Sequence, residues 1–312
     1  MRIVVIGTGA LGCLVAGLLS KKAEVWLLDK DPKRAERIMA NGGVFCEGAS
    51  GKWQAKVPVV TKAADTGGVD LVILCVKTYD TKNALSHAKD VLKERTAVLT
   101  LQNGLGNVEV ISEVINPENV FAGSTSHGIT LVGEGRIVHA GEGLTVVGNL
   151  EGSTPVMLKQ IREVFNESKI ETKVSRDIKN VLWSKLIINC GINALSAVTG
   201  LKNGQLIEFE NTAELLRLAV TEAVKVAKKS RAKLLYDDAL AKVEAVCEAT
   251  ADNTSSMLQD IISKKRTEID FINGVIVRHG RSTGIPTPIN FTLVNLIKAI
   301  EFGYSDARKP SP

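Results

Sequence analysis

Several protein classes are excluded by what this chain lacks. Aromatic residues make up only 4% of its 312 residues, and no basic run carries interleaved aromatics, so nucleic acid is not an expected partner. Five cysteines are present, Cys13, Cys46, Cys75, Cys190 and Cys247, but no two form a C-x-x-C pair and most sit in apolar runs. They read as buried, reduced thiols of a reducing compartment, not as a disulfide framework. The four histidines and these cysteines match no zinc-ligand spacing, so no metal is expected. No charge-free apolar run reaches membrane-spanning length. Met1-Arg2 leads directly into Ile3–Ile6 and not into a signal peptide. The expectation is a soluble, cytoplasmic protein with no membrane partner. The net charge of +5 suits an anionic ligand, but solubility alone accounts for so small a value.

The length favours two domains. A hydrophobic share of 45% with 23% charged residues lies near the globular average, so a sizeable core is available. In the first half, short β-branched runs alternate with helical patterns. Ile3–Ile6, Glu24–Leu28, Leu71–Val76, Ala97–Leu101 and Val120–Ala122 read as buried parallel strands. Leu11–Lys21, Pro32–Ala40, Thr81–Leu92 and Asn107–Ile115 read as the helices between them. This alternation predicts an α/β, Rossmann-like doubly wound sheet. Between Ser126 and Gly148, glycines punctuate alternating runs such as Arg136–His139 and Leu144–Val147, which predicts antiparallel strands extending that sheet. From about residue 176 the pattern is helical: Ile178–Val198, Glu214–Arg231, Asp237–Ala251, Ser255–Ser263, Glu268–His279 and Phe291–Phe302, with Gly280, Gly284, Pro286 and Pro288 as breaks. The expected organisation is a dinucleotide domain over 1–175, an all-α domain over 176–304 and a frayed tail over 305–312. A cleft between two such domains is the default place for a ligand.

Gly7-Thr8-Gly9-Ala10-Leu11-Gly12 is a G-x-G-x-x-G run between an apolar strand and an apolar helix. That context favours dinucleotide binding over a plain glycine turn: the first glycine turns the chain, the second admits a pyrophosphate and the third lets helix and strand pack. Asp29 ends the second strand where an acid accepts the ribose 2′-hydroxyl, or it caps the next turn. A carboxylate there favours NADH, whereas Lys30, Lys33 and Arg34 offer charge for the 2′-phosphate of NADPH. Lys77 and Asn103 follow two further strands, on the edge that borders such crevices; a surface lysine and an Asn-Gly turn are the plainer readings.

The segment Val181–Val198 is apolar almost all round and predicts a buried helix, yet it carries Ser184, Lys185, Asn189, Asn193 and Ser196. Lys185, Asn189 and Asn193 are spaced by four and share one face. Unpaired buried amides and ammoniums are costly, so such a stripe suits a polar cavity. A desolvated lysine beside a ketone can give a proton as hydride reaches carbon. The alternatives are a snorkelling lysine and helix–helix hydrogen bonds from the asparagines. Asn253–Asp260 and Arg266–Asp270 form a second polar constellation, for which Ser/Thr capping and dipole complementation by Glu268 are the simple explanations.

The segments GTGALG, CVKTYDT, LQNGLGN and GRIVHAGEG, then WSKLIINCGINALSAVTG, NTSSMLQDIISKKRTEIDFING and GIPTPIN, resemble in this order the signatures of the 2-dehydropantoate 2-reductases. The resemblance covers nearly the whole chain. It implies a Rossmann domain followed by a helical domain like that of 6-phosphogluconate dehydrogenase. It implies reduction of 2-dehydropantoate to (R)-pantoate with NADPH, a step toward pantothenate and coenzyme A. By resemblance Lys185 is the general acid, and Glu268 lies at the cofactor and this lysine. Asn103, Asn189, Asn193, Asn203 and Ser256 match substrate-side positions, and Lys77 a cofactor contact. Many members carry an arginine after the second strand; Asp29-Lys30 stands here, which keeps NADH open as donor. A small-molecule keto acid is the expected partner, and a homodimer is compatible with the sequence. A paralogue acting on another 2-keto acid and a non-catalytic dinucleotide sensor are the rival readings, although a sensor has no need of a proton donor in the stripe.

Overall fold

The computed structural model describes residues 1–306, so the expected frayed tail lies, from residue 307, outside the described residues. The chain forms two compact units: Met1–Gln102 with Gly106–Ile178, and Asn103–Leu105 with Lys179 onward.

The first unit contains β1 (Arg2–Ile6), α1 (Ala10–Leu19), β2 (Glu24–Leu28), α2 (Pro32–Ala40), β3 (Val44–Gly48), β4 (Trp53–Ala55), β5 (Val59–Val60), β6 (Leu71–Leu74), α3 (Thr81–His87), β7 (Ala97–Thr100), α4 (Asn107–Ser112), β8 (Val120–Thr125), β9 (Gly128–Gly133), β10 (Arg136–Gly141), β11 (Thr145–Gly148), α5 (Val156–Glu167) and β12 (Thr172–Val174). Its main sheet has the order β12-β11-β8-β7-β6-β1-β2-β5. From β5 to β8 all neighbours are parallel, with Val4 opposite Trp26 on one side and Val72 on the other. Strands buried on both faces need side chains that are apolar on both, which is why LVIL of β6 and AVLT of β7 are buried throughout. The chain leaves β1 toward β2 and β5, then returns to β6 on the other side of β1. This reversal opens the crevice at the carboxyl ends of β1 and β6.

One expectation is corrected. Of the strands between Ser126 and Gly148, β11 extends the main sheet, antiparallel to β8; β10 pairs instead with β3 and β9 in a separate four-stranded sheet, β4-β3-β10-β9. The reason lies in α1, whose residues Gly12–Leu19 are all buried. A helix with no polar face needs cover on its far side as well, and the small sheet provides it, with Trp53 packed over Gly17. The pattern offered nothing for 149–175, where the structure has α5 and β12.

The small sheet carries a histidine pair. His139 Nε2 lies 2.9 Å from His127 Nδ1, which also accepts the Gly143 N–H at 3.2 Å. The contact needs one neutral ring as acceptor, so both rings cannot be charged at once. Burial holds both imidazoles below their ordinary pKa. The unfolded chain therefore takes up protons first on acidification. Their contribution is complete above roughly pH 6.5 and is lost as pH falls through the depressed values. The urea midpoint of the native protein is expected to drop between about pH 7 and pH 5, and to drop less in His127→Ala/His139→Ala; equal slopes would rule out the pair as the cause.

The second unit is built around α6 (Ile178–Thr199), with α7 (Gln205–Glu208), α8 (Glu210–Lys229), α9 (Ala239–Ala249), α10 (Ser256–Ile262), α11 (Asn273–Thr283) and α12 (Pro288–Asp306). By length and composition α6 would suit a membrane span, yet 72% of that window is buried inside the structure. Gly191 lets α8 and α9 approach, since a Cβ there would meet Val220 and Val243. Gly280 does not break the helical run as expected. It lies inside α11, packed on Ile285 and Thr287, and the helix ends at Gly284 in the left-handed region at φ +73°.

Candidate active site

In the first unit, β1 runs into the glycine turn and α1 leaves it. Gly7 adopts φ +109°, and a Cβ there would press on Cys75 and Val76 just beyond β6. A Cβ on Gly12 would collide with the carbonyl oxygen of Gly7. Gly9, by contrast, faces open space, and no side chain caps the first turn of α1, which carries no acid. Free N–H groups, a positive helix end and no acidic side chain fit a pyrophosphate. Gln102 braces the neighbouring edge: its Nε2 donates to the Val76 carbonyl and the Thr81 hydroxyl, both at 2.9 Å. Lys77 follows Val76 on that edge, at the carboxyl end of β6.

Asp29, directly after β2, is 5% exposed. Its Oδ1 accepts the Asp31 N–H at 2.8 Å and Arg34 Nη2 at 3.1 Å. Its Oδ2 accepts the Thr8 hydroxyl and faces Arg34 Nε at 2.9 Å. The acid thus ties the glycine turn to α2 and grips Arg34 in two places. Asp31, not Asp29, caps α2, accepting from the Lys33 and Arg34 N–H groups. Lys30 is exposed and pairs with Asp80 at 3.2 Å.

In the second unit, the polar residues of α6 divide into two groups. Ser184 and Ser196 serve the fold: the Ser184 hydroxyl donates to the Asn180 carbonyl and accepts the Leu235 N–H, and Ser196 donates to the Leu201 carbonyl. Lys185 and Asn189 are half-buried and Asn193 is buried. Burial pushes the Lys185 ammonium down to about 8, against the opposing pull of Glu268. Glu268 is buried, and its side chain makes no capping hydrogen bond to the turn Ile269–Phe271 that follows it. Capping by a Ser/Thr residue holds at Ser255, which caps α10 by accepting the Leu258 N–H at 3.1 Å, while the neighbouring Ser256 is exposed.

Asn203 is buried, donates to the Thr250 hydroxyl at 2.9 Å, and bonds through its N–H to the Asn253 carbonyl. It holds the loop that leads into Ser256. The turn Asn103–Leu105 belongs to this unit as well. Leu105 N–H reaches the Phe271 carbonyl at 3.3 Å, and Gly104, at φ +82°, has no room for a Cβ against that same carbonyl. Asn103 thus stands in a turn docked three residues from Glu268. Lys185, Asn189, Asn193, Asn103, Asn203, Ser256 and Glu268 all lie in the helical unit; the glycine turn, Asp29, Lys30 and Lys77 lie in the other.

Residues 3–152 match the ketopantoate reductase PanE/ApbA family model, and residues 177–301 match the C-terminal model of the same family. The chain belongs to the ketopantoate reductase family. It is 33% identical to the 2-dehydropantoate 2-reductase of Halobacterium salinarum over 299 residues, 96% of this chain and 98% of that one. The crystal structure of a PanE/ApbA family ketopantoate reductase from Ralstonia eutropha JMP134 superposes with a TM-score of 0.89 at 32% identity, covering 98% of this chain and all of that one. D-mandelate dehydrogenase, solved with NADH and anilino(oxo)acetate, is as similar in fold, with a TM-score of 0.89 at 28% identity over 98% of this chain and 100% of that one.

Within this reductase fold, the sequence reading missed one set of residues. Glu222, Asn273 and Asn290 are buried polar side chains of the helical unit. The available signal was one asparagine inside each of the largely apolar stretches Phe271–Val277 and Pro288–Val294, where a packed helix is expected to carry an apolar side chain.

Proposed function

We propose that this family member reduces 2-dehydropantoate to (R)-pantoate with NADPH as the donor, in the cytoplasmic route to pantothenate and coenzyme A. The observation that carries the reading is Lys185: a lysine in a packed helix, brought to about 8 by burial and facing Glu268. An ammonium so tuned holds its proton at neutral pH and releases it readily. When bound, the reduced dinucleotide supplies hydride to the C2 ketone. Lys185 Nζ gives its proton to the ketone oxygen and stabilises the negative charge that grows there. Glu268 keeps the lysine charged before transfer. Asn189 and Asn193, one and two turns further along α6, hold substrate oxygens, with Ser256, Asn103 and Asn203 serving the substrate carboxylate and hydroxyl.

The dinucleotide would be held by the backbone of Gly7, Thr8, Gly9, Ala10, Leu11 and Gly12, with Lys77 as a further contact from the same unit. The NADPH preference rests on Asp29, whose oxygens are taken by Thr8, Asp31 and Arg34. Three hydrogen bonds and the Arg34 ion pair leave this carboxylate little acceptor capacity for a ribose hydroxyl. Arg34, half-exposed and held rigidly, is instead offered to a 2′-phosphate, with Lys30 and Lys33 close in sequence.

The likeness to D-mandelate dehydrogenase with NADH favours a second reading, a reductase of another 2-keto acid. Absorbance of NADPH and of NADH is to be followed with 2-dehydropantoate and, separately, with aryl and branched 2-keto acids. The proposal expects fastest turnover with 2-dehydropantoate and NADPH. Turnover confined to the other keto acids would establish the second reading, and dinucleotide binding without turnover on any of them would overturn both.

A further inference from the structure

Beneath the Lys185 helix runs a chain of buried polar groups that the proposed chemistry does not use. Glu222, on α8, accepts the N–H groups of Ile289 and Asn290 at the start of α12, each at 2.9 Å, and Asn290 Nδ2 at 2.8 Å. Asn290 Nδ2 also donates to the Ala219 carbonyl at 3.0 Å. Asn290 Oδ1 in turn accepts Asn273 Nδ2 at 3.0 Å, and the same Nδ2 donates to the Cys190 carbonyl on α6, also at 3.0 Å. Both asparagines are fully buried. The chain thus joins α8, α12, the start of α11 and the middle of α6.

Its placement matters more than its existence. Cys190 follows Asn189 and lies five residues after Lys185; Asn273 lies five residues after Glu268. Between them stands only the short turn Ile269–Phe271, whose last carbonyl also receives the Asn103 turn. The Asn273–Cys190 bond therefore ties the helix bearing the lysine to the segment bearing the acid. That bond has a cost. Asn273 Oδ1 is buried and meets no donor among the described residues. An orphaned acceptor of this kind is destabilising, and an apolar side chain of the same volume would avoid it. The carbonyl of Cys190 sits in mid-helix and has no need of a second donor for stability alone.

We infer that Asn273, held by Asn290 and Glu222, is a positioning residue that sets the place of α6 against the Glu268 turn and so the contact between Lys185 and Glu268. The inference rests on the reading of Lys185 as proton donor. It acts through two other residues and touches no substrate. Apolar packing alone would let α6 slide or rotate by a fraction of a turn at small cost, whereas a directional bond to one carbonyl does not.

The test uses the full-length enzyme with Asn273→Ala and Asn273→Asp. In Asn273→Ala, kcat is expected to fall about tenfold or more, and the midpoint of its alkaline decline to move by about half a unit, as the Lys185 surroundings change. The Kd for 2′,5′-ADP, read by protein fluorescence, is expected to stay within about twofold, since the glycine turn, Asp29 and Arg34 proposed to hold that half of the dinucleotide lie in the other unit. Asn273→Asp keeps the shape and adds a buried carboxyl, whose pKa burial raises. Protonated, it still donates to the Cys190 carbonyl; ionised, it cannot. Titratable and charged groups on the elements packed there are Glu222 on α8, linked through Asn290, Cys190 on α6, Arg278 on α11, which donates to the Asp270 carbonyl, and Asp270, which pairs with Lys298 on α12 and with Arg266. Activity of Asn273→Asp relative to the native enzyme is therefore expected to be highest at low pH and to fall as pH rises, which also covers the case of an Ala variant that does not fold. Unchanged kcat and pH midpoint in both variants, with only a lower Tm, would make Asn273 a structural residue and overturn the inference. A native enzyme with no alkaline decline, or one indifferent to Lys185→Ala, would overturn the proton-donor reading instead.

Discussion

Lys185→Ala is expected to lower kcat by roughly 10²–10⁴, the usual worth of a positioned acid, while KM for the keto acid changes far less. The reasoning is differential. A ketone oxygen is only partly negative in the bound substrate but becomes an alkoxide as hydride arrives, so a charged donor beside it gains most of its energy in the transition state. Its pH dependence follows from burial. Desolvation brings the ammonium to about 8, so the native kcat should be level below that value and decline as pH rises through it. In Lys185→Ala that decline should vanish along with the rate. Lys185→Arg should not restore activity, because a guanidinium keeps its proton at any working pH. Steady-state kinetics between about pH 6 and pH 10 give all three answers; near-native kcat in the alanine variant would remove Lys185 from the chemistry.

Arg34→Ala is expected to raise the NADPH Kd by a factor of about 10 to 100, with NADH changed by less than about threefold. A charge-assisted contact to phosphate contributes roughly 1.5–3 kcal/mol, and only NADPH carries the 2′-phosphate. Asp29 supplies the discriminating partner experiment. If it serves as the seat of Arg34, Asp29→Ala frees the guanidinium and weakens NADPH as well. If instead it accepts the ribose hydroxyl, the same substitution should weaken NADH and improve NADPH. Fluorescence titration with 2′,5′-ADP and 5′-AMP separates these outcomes without relying on turnover: loss of 2′,5′-ADP binding alone supports Arg34, and loss of 5′-AMP binding alone supports Asp29.

Much of this enzyme follows from local pattern. The parallel strands announced themselves as short runs apolar on every residue, and the glycine turn by its place between an apolar strand and an apolar helix. Lys185, Asn189 and Asn193 stood out because polar groups at a spacing of four are conspicuous in a helix that is otherwise apolar. The same reasoning could not divide the stripe correctly. Ser184 and Ser196 look equally exceptional in sequence, and only the positions of Asn180, Leu235 and Leu201 make them tethers. Nor could alternation tell which sheet Arg136–Gly141 would join, because period two specifies a face and not a neighbour.

The order of elements, the glycine turn between β1 and α1 and the face of α6 that bears Lys185 are local features, since each depends on residues a few positions apart. Other features are long-range: the second sheet over α1, the occupation of Asp29 by Thr8 and Arg34, the turn of Asn103 docked at Phe271, and the buried bond from Asn273 to Cys190. A hydrogen bond is a property of two groups, and when they lie 83 residues apart neither one's neighbourhood in sequence contains the other.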